Sequence, residues 1–164
     1  MKILDQEQIR QKTKRLAIEI LENNTEANGL VIAGINNNGM AFAQLILEEL
    51  LQLTEQDITL TRIRLNPAAP DVEQIMLEMP LEQLHGKAVI LVDDVANTGR
   101  TLFYATRPLM EGMPEKIEVA VLVDRTHKSF PIRVDYVGLS LATTLKEHIS
   151  VVLHETEELA AHLN

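Results

Sequence analysis

The stretch that decides the fold is AVILVDDVANTGRT, which runs from Ala88 to Thr101. Its first five residues are apolar without a break, which is typical of a strand buried on both faces of a parallel sheet. The acidic residues Asp93 and Asp94 follow, and a turn containing Gly99 then leads into a helix that we expect from about residue 101. Because ligands bind beyond the carboxyl ends of strands in open α/β sheets, we expect a ligand site at this turn.

Strand and helix patterns alternate on both sides of this stretch. Apolar residues recur at helical spacing after the N-cap signal of Asp5 and Gln8, and several apolar runs have the length of buried strands. The pattern predicts helices over 5–23 and 40–53, a turn over 36–39, strands over 30–35, 57–65, 88–92, 117–123, 132–137 and 148–153, and a short terminal helix. This alternation predicts an α/β fold, a single domain over residues 1–164 with a mainly parallel sheet and helices on both faces.

Composition limits the classes of partner. Fifteen basic and 24 acidic residues give a net charge of −9, which argues against broad attraction to nucleic acid. We interpret the basic cluster of the first helix as a solvated face; its members are Arg10, Lys12, Lys14 and Arg15. The sequence has no cysteine, no apolar run of the roughly 20 residues that a membrane span requires, and no apolar signal segment after Met1. We therefore expect a cytoplasmic protein without membrane contact, disulfides or thiolate metal sites.

The turn after the acidic pair has the chemistry of a sugar-phosphate site. Free N–H groups at a helix N-terminus favour a phosphate, and Gly99 allows the backbone to approach it closely while Thr98 and Thr101 offer hydroxyl donors. The carboxylates of Asp93 and Asp94 repel phosphate, so they suit ribose hydroxyls or a magnesium ion. A sugar phosphate satisfies both halves of the motif.

Three other interpretations explain this stretch less well. A purely structural strand, turn and helix gives no reason for two adjacent acids at the end of a strand. A phospho-receiver domain needs a longer chain after its first strand than remains here. A Walker B strand needs a P-loop, and the sequence contains no G-x-x-x-x-G-K-[ST].

Residues 89–101 resemble the phosphoribosyl pyrophosphate signature of type I phosphoribosyltransferases. The closer resemblance is to the group of bifunctional pyrimidine-operon attenuators and uracil phosphoribosyltransferases. It rests on VLVDRTHK at 121–128 and PIRVDYVG at 131–138, and on the upstream segments 3–5, 31–39 and 57–60. The resemblance covers nearly the whole chain and is weak between Arg62 and Gly86.

The resemblance implies a type I phosphoribosyltransferase fold with a small hood region, and a reaction that transfers phosphoribosyl to a nucleobase, preferably uracil, with Mg²⁺. It also implies a homodimer. The resemblance assigns Asp94 and Arg62 to catalysis. It assigns Asp93 to magnesium binding, in addition to the substrate role given next. The remaining roles are phosphoribosyl pyrophosphate binding by Asp93, Asp94, Val95, Ala96, Asn97, Thr98, Gly99, Arg100 and Thr101, a pyrophosphate loop of Asn36, Asn37, Asn38 and Gly39, and a base site of Arg125, Tyr136 and Val137.

The sequence departs from this group at the pyrophosphate loop. The group usually has a lysine and an arginine there, whereas this chain has three asparagines. A neutral amide contact to an oxyanion is roughly half as strong as a charged one. Asparagines are also common in plain turns, so a weakened pyrophosphate loop and a simple turn both remain open.

Two further departures bear on turnover. The two aspartates that usually follow the strand after Leu60 are missing, although Arg62 keeps the arginine. The pair Ala96 and Asn97 replaces a bulkier pair of the group, and the amide of Asn97 cannot serve as a general base. Two hypotheses follow: an enzyme, and a nucleotide-sensing regulator that binds RNA or a protein and has lost much of its catalysis. The net charge of −9 disfavours the RNA-binding form.

Overall fold

The structure is a computed structural model that describes residues 1–71, 74–142 and 146–164. Strands and helices alternate through most of the chain, as the sequence predicts. The elements are β1 (Lys2–Leu4), α1 (Gln6–Glu22), β2 (Leu30–Ile35), α2 (Asn36–Leu53), β3 (Ile58–Arg64), β4 (Met76–Leu77), a 3-10 helix (Leu81–Leu84), β5 (Ala88–Ala96), α3 (Arg100–Glu111), β6 (Lys116–Arg125), β7 (Tyr136–Leu141), β8 (Ile149–Val152) and β9 (Ala160–Leu163).

The main sheet places β5 beside β2 at its centre. Within the described ranges it has six strands in the order β4-β3-β2-β5-β6-β7. The pairs from β3 to β7 are parallel, and β4 is antiparallel to β3. From β2 the chain continues to β3 on one side, whereas from β5 it continues to β6 on the other side. The carboxyl ends of β2 and β5 therefore form a topological switch point, where open α/β sheets leave a crevice for ligands.

Helices cover both faces of the sheet, which confirms the predicted α/β arrangement. One face is covered by α1 and α2, whose buried Leu16, Phe42 and Ile46 belong to the same apolar cluster as Ile90 of β5. The other face is covered by α3 and the 3-10 helix. Each fully buried Leu, Ile or Phe side chain stabilises the fold by about 1.5–3 kcal/mol, and these two layers fix β5 from both sides. In the parts of the chain that the structure describes, no helix has the length and apolarity to cross a membrane.

A small antiparallel sheet forms the hood that the family resemblance implies. Its strand order among the described residues is β1-β9-β8, so it joins the two ends of the chain. The two ends of the chain are also joined by a hydrogen bond of 2.6 Å from the Met1 amino group to the Leu163 carbonyl. Strand β8 is an edge strand of this sheet, and it approaches β5 of the main sheet.

The structure corrects the prediction for residues 36–39, which form the first turn of α2 and not a separate turn before a helix at Met40. Asn36 adopts a left-handed φ of +51°, a conformation that asparagine tolerates better than most residues. Its Oδ1 atom accepts a hydrogen bond from the Leu65 amide at 3.1 Å, and its Nδ2 atom donates one to the Leu65 carbonyl at 2.9 Å. Because these bonds hold Asn36 in place, the helix follows β2 directly.

Two predictions for the second half of the chain are also wrong. The strand expected over 132–137 begins only at Tyr136, because Ile132 and Val134 lie in a loop and pack against the apolar layer around α3. The expected terminal helix is strand β9. Ala160 and Ala161 favour a helix locally, but β1 and β8 offer hydrogen-bonding edges on both sides of this segment. Tertiary pairing overrides helix propensity here.

Candidate active site

A cleft of about 580 Å³ lies at the carboxyl ends of β2 and β5, at the switch point of the sheet. Its walls come from the β5–α3 loop, the first turn of α2, and the hood. The residues that line it are Ile35, Asn36, Asn37, Asn38, Pro67, Asp93, Asp94, Val95, Asn97, Thr101, His148, Ile149, Ser150, Val151 and His154. The structure therefore brings the acidic pair and the three asparagines of the sequence prediction into one cavity.

The acidic pair belongs to β5 itself, which extends to Ala96 and not only to the predicted Val92. Asp93 is 8% exposed, and its carboxylate accepts the backbone amide of Asp94 at 2.9 Å. Burial raises the pKa of the Asp93 carboxyl well above its ordinary value, and the adjacent Asp94 charge raises the pKa further. Asp94 is half-buried and accepts the Val95 amide at 2.8 Å. One carboxyl of the pair is therefore hard to ionise until positive charge or hydroxyl donors reach it.

The β5–α3 loop forms a small concavity of about 50 Å³ from residues 95–102. Gly99 precedes α3 in the left-handed conformation, with φ +85°, and as the N-cap residue it has no side chain to bond the helix. The Arg100 amide donates to the Thr98 Oγ1 atom at 3.3 Å, whereas the next amides of α3 have no partner within the helix and belong to residues that line this concavity. Such a turn binds a phosphate group by its backbone, with the helix dipole behind it. Here the loop has the geometry that the sequence predicts.

A second loop holds the β5–α3 loop in shape. The Thr98 carbonyl accepts the Ser129 amide at 2.9 Å and the Phe130 amide at 3.3 Å. Gly99 lies against Ile132 so closely that a Cβ atom there would be 2.4 Å from the Ile132 Cγ2 atom. The concavity is therefore preformed by packing, and it does not depend on the side chains that would face a ligand.

The first turn of α2 forms the opposite wall. Ile35 precedes the helix without a side-chain cap, so the first amides of α2 are available at the cleft. Gly39 allows this turn to lie directly on β5, because a Cβ atom there would be 2.6 Å from the Val92 carbonyl and 3.3 Å from the Asp93 Oδ1 atom. The cleft therefore has a helix N-terminus at each end and the acidic pair between them.

Each of the three asparagines has a protein partner. Asn36 is bonded to Leu65, as described above, and the Asn37 Oδ1 atom accepts Arg62 at 3.4 Å. Asn38 donates from Nδ2 to the Asp94 Oδ2 atom at 3.2 Å. These bonds show that the three amides organise the wall of the cleft.

The two predicted arginines lie near the cleft without lining it. Arg62 reaches the cleft through Asn37, and its buried Nε atom has no hydrogen-bond partner among the described residues. Arg125 ends β6 at the same edge of the sheet and donates to the Glu147 carbonyl. We therefore treat both as residues that could position the site and not as direct contacts of a ligand.

The structure does not bring Tyr136 or Val137 to the cleft. Tyr136 begins β7 opposite Ala120, is 1% exposed, and packs in the apolar layer under α1. Burial raises the pKa of its hydroxyl, which lies near Glu118. The Val137 carbonyl already accepts Arg15 at 2.8 Å. The residues that the resemblance assigns to the base therefore do not line this cleft, since Tyr136 and Val137 belong to β7 and their contacts are with α1 and its layer.

The sequence reading missed the hood residues that line the cleft in their place. His148, Ile149, Ser150 and Val151 come from β8 and the residue before it, and His154 follows in the next loop. The signal in the sequence is a pair of histidines, His148 at the start of the short predicted strand 148–153 and His154 directly after it. Their proximity to Asp93 depends on how the hood docks on the sheet, which local pattern does not encode.

The donor set fits magnesium if the ligand supplies most of the coordination. Among the residues that the structure describes, no cluster of three or more histidines or acids could enclose a metal ion. Mg²⁺ is commonly held by one or two carboxylates together with substrate phosphates. A nearby cation would lower the raised pKa of the Asp93 carboxyl, because positive charge favours its ionised form.

Comparison with known proteins agrees with this geometry. The family model of the phosphoribosyl transferase domain matches residues 1–156. The chain is 39% identical over 166 residues to the bifunctional protein PyrR of Bacillus cereus (strain B4264), which covers 95% of this chain and 92% of that protein.

Solved structures with less than a quarter of their residues identical share the fold. A hypoxanthine phosphoribosyltransferase of Trypanosoma cruzi has a TM-score of 0.78 at 18% identity, over 98% of this chain and 95% of that one. A hypoxanthine-guanine phosphoribosyltransferase (hpt-2) of Bacillus anthracis has a TM-score of 0.76 at 19% identity, over 98% and 96%. The resemblance inferred from residues 89–101 is confirmed: the chain belongs to the phosphoribosyltransferase family.

Proposed function

We propose that this protein binds phosphoribosyl pyrophosphate in the cleft and transfers its phosphoribosyl group to a nucleobase, with uracil as the preferred base. The observation that carries the proposal is the order of groups along the cleft. A helix N-terminus stands at each end, and the acidic pair Asp93 and Asp94 lies between them. Phosphoribosyl pyrophosphate has the matching order, with a phosphate at one end, ribose hydroxyls in the middle, and pyrophosphate at the other end.

The phosphate end belongs to the β5–α3 loop. Its concavity holds one phosphate-sized group, and Thr98 and Thr101 add hydroxyl donors to the backbone amides. The first turn of α2 lines the larger cleft of about 580 Å³, so this end suits the pyrophosphate. Asp94 suits the ribose hydroxyls better than Asp93 because it is half-buried, whereas Asp93 is buried and burial raises its pKa.

The base would lie against the hood strand β8. Among the described residues this strand pairs with β9 alone, so its other edge carries backbone donors and acceptors that no described strand of this sheet pairs with. Ile149 and Val151 provide apolar contact on the same wall. Alternating backbone donors and acceptors beside apolar side chains can bind both the edge and the face of a planar base.

The chain contributes to the reaction mainly by binding and orientation. A ring nitrogen of the base attacks the anomeric carbon as the bond from that carbon to pyrophosphate breaks, and pyrophosphate leaves with the electron pair. The α2 N-terminus stabilises the charge that develops on the leaving group. The proton of the base passes to solvent, and Asn97, although it lies at the cleft, takes no part in this step because its amide cannot accept a proton.

Magnesium and a second subunit are part of this proposal. Asp93 would hold Mg²⁺ together with oxygen atoms of the substrate. When bound, the metal supplies positive charge to the leaving pyrophosphate. We further propose that the protein acts as a homodimer.

The test is a magnesium-dependent assay of the purified protein with phosphoribosyl pyrophosphate and a panel of bases that includes uracil, hypoxanthine and guanine. We expect a nucleotide and pyrophosphate to form in equal amounts, fastest with uracil. Absence of turnover with every base, together with no binding of phosphoribosyl pyrophosphate by calorimetry, would refute the proposal.

The second candidate is a nucleotide-sensing regulator of pyrimidine genes with little turnover. The observation that favours it is the neutral wall of the cleft, where Asn37 and Asn38 are already bonded to Arg62 and Asp94. Such a site could retain a nucleotide whose phosphate rests in the β5–α3 loop. Tight calorimetric binding of UMP without turnover would support this candidate, and RNA would then be tested as the partner.

A further inference from the structure

A histidine of the hood touches the neutral wall of the cleft. His154 lies in the loop between β8 and β9, and its Nε2 atom is 2.7 Å from the Asn38 Oδ1 atom. Asn38 in turn donates from Nδ2 to Asp94 at 3.2 Å. The three side chains form a chain of hydrogen bonds from the hood, across the α2 N-terminus, to the acidic pair.

The direction of these bonds fixes the proton on His154. The Asp94 carboxylate can only accept, so the nitrogen of the Asn38 amide must face it. The oxygen of that amide then faces His154 and accepts from Nε2. The imidazole therefore presents an Nε2–H donor at the cleft.

Positive charge is scarce in this cleft. Of the described residues that line it, none is lysine or arginine, and the side chains able to become cationic are His148 and His154. His148 belongs to the wall of β8, whereas His154 contacts the first turn of α2. Arg62 reaches this turn only from behind Asn37, so among the described residues that line the cleft His154 is the one that can bring a cation to the α2 end.

We propose that His154, in its imidazolium form, binds the pyrophosphate group at the α2 N-terminus and supplies the charge that the three asparagines lack. This inference rests on the proposed function. The exposed ring leaves Asn38 and donates from Nε2 to a pyrophosphate oxygen, while the Asn38 amide stays on Asp94. Substrate binding at this end is then coupled to the charge state of the hood, because imidazole changes its charge between about pH 5 and pH 8.

Other ionisable groups surround His154 from every side of the cleft. They are Asp93 and Asp94 on β5, Arg62 on β3 behind Asn37, His148 before β8, and Glu155 next in sequence. Pyrophosphate also titrates in this range. These contributions are common to wild type and to a variant that changes only residue 154, so the comparison of the two isolates the imidazole.

The experiment measures the affinity of the full-length protein for magnesium pyrophosphate and for phosphoribosyl pyrophosphate by calorimetry at about pH 6 and about pH 8. The variant His154→Gln keeps an N–H donor and removes the charge. The variant His154→Lys keeps a cation at both pH values. His85→Gln is the matched control, because His85 is exposed and precedes β5 at the opposite end of the sheet.

We expect wild type and His85→Gln to bind pyrophosphate more tightly at about pH 6 than His154→Gln, by about fivefold, a size typical of a partly exposed charge pair. The difference should shrink at about pH 8, where His154→Lys should be the tightest binder. Thermal melting shows that the variants are folded.

Equal pH dependence in wild type and His154→Gln would overturn this inference, and continued binding of phosphoribosyl pyrophosphate would leave the proposed function standing. Loss of pyrophosphate affinity in His154→Gln that is the same at both pH values would also overturn it, since that result assigns His154 a hydrogen bond without charge. Failure of wild type to bind either ligand refutes the inference and the proposed function together.

Discussion

Two strand-to-helix junctions meet at the cleft, and they are built in opposite ways. At the junction of β5 with α3, three residues separate strand and helix, and a neighbouring loop holds the backbone by way of Thr98 and Gly99. At the junction of β2 with α2, the helix follows the strand without a spacer, and the side chains of Asn36 and Asn38 are bonded to other parts of the protein. The first junction presents a preformed backbone concavity; the second presents a flat, neutral wall.

The difference indicates how the two ends of a substrate are recognised. A single phosphate fits a concavity whose amides converge on it, and no cation is needed. Pyrophosphate carries more charge and is less well enclosed by a helix start alone, so its affinity depends on charges brought by magnesium or by the hood. The acidic end of β5 sharpens the contrast, because Ile35 occupies the corresponding position at the end of β2.

The largest effect is expected from Gly99→Ala, which attacks the preformed junction. The left-handed φ of +85° costs an alanine about 1–2 kcal/mol, and its Cβ atom would be 2.4 Å from Ile132. Overpacking of this kind adds about 1–3 kcal/mol, so chemical denaturation should show a loss of about 2–5 kcal/mol in the free energy of unfolding. Binding of phosphoribosyl pyrophosphate should weaken as well, because the loop must move.

Gly86→Ala is the matched control for this variant. Gly86 has a similar φ of +68°, but a Cβ atom there meets nothing within 4 Å. Gly86→Ala should lower the free energy of unfolding only by the cost of the left-handed φ, and it should keep full affinity for phosphoribosyl pyrophosphate. Adding Ile132→Ala to Gly99→Ala should restore part of the affinity, and if it restores none, close packing is not what shapes the loop.

The next effect concerns the acidic pair. Asp94→Asn removes the carboxylate that accepts both the Val95 amide and Asn38, and that we assign to the ribose hydroxyls. A hydrogen bond to a charged group contributes about 1.5–3 kcal/mol, so the affinity for phosphoribosyl pyrophosphate should fall about 10- to 150-fold in calorimetry. The melting temperature should change little. Unchanged affinity would return the acidic pair to a structural role.

The neutral wall can be tested by adding charge at two of its positions. From the sequence alone, Asn36→Lys and Asn38→Arg are both expected to raise kcat/KM, because each adds a cation to the expected pyrophosphate loop. The structure separates them. Asn36→Lys loses two hydrogen bonds to Leu65 and should cost about 1–2 kcal/mol of stability without improving activity. Asn38→Arg faces the cleft and should raise kcat/KM about three- to tenfold at fixed magnesium. If Asn36→Lys proves the better enzyme, the assignment of these side chains is wrong.

Sequence alone predicts the first junction well and the second poorly, and the reason is physical. The β5–α3 loop is encoded locally, by an apolar strand, two acids and a glycine that needs a left-handed φ. The α2 junction depends on Leu65, Arg62 and Asp94, which lie on other strands. Local propensity can identify three asparagines as polar, but it cannot say which partners they find.

The hood strand β8, where we propose that the base binds, shows at a larger scale that local sequence does not encode long-range contacts. Strand β8 was visible as a short apolar segment, but its place at the cleft comes from docking of a sheet that joins the two ends of the chain. The expected terminal helix became β9 for the same reason. Tyr136 was assigned to the base by position in a motif, whereas the register of β7 against β6 puts it level with Ala120, inside the core.

The smallest effect is a gain in stability from Asp93→Asn, and its sign follows from the raised pKa of this carboxyl. Burial first, and then the Asp94 charge, make the folded protein bind a proton at Asp93 more readily than the unfolded chain does. Stability linked to this group is therefore fully present below the unfolded pKa, near 3.9 for an aspartate, and is lost as the pH rises through the raised folded pKa. At neutral pH the charged Asp93 costs stability, and an asparagine removes that cost while it still accepts the Asp94 amide.

We expect Asp93→Asn to raise the melting temperature by about 2–4 °C at about pH 8, which corresponds to about 1 kcal/mol for a chain of this size. The gain should vanish at about pH 4, and magnesium-dependent binding of phosphoribosyl pyrophosphate should be lost at both. A melting temperature that falls in the variant at about pH 8 would mean that the buried carboxylate stabilises the end of β5, and the acidic junction would no longer differ from the neutral one by a cost in stability.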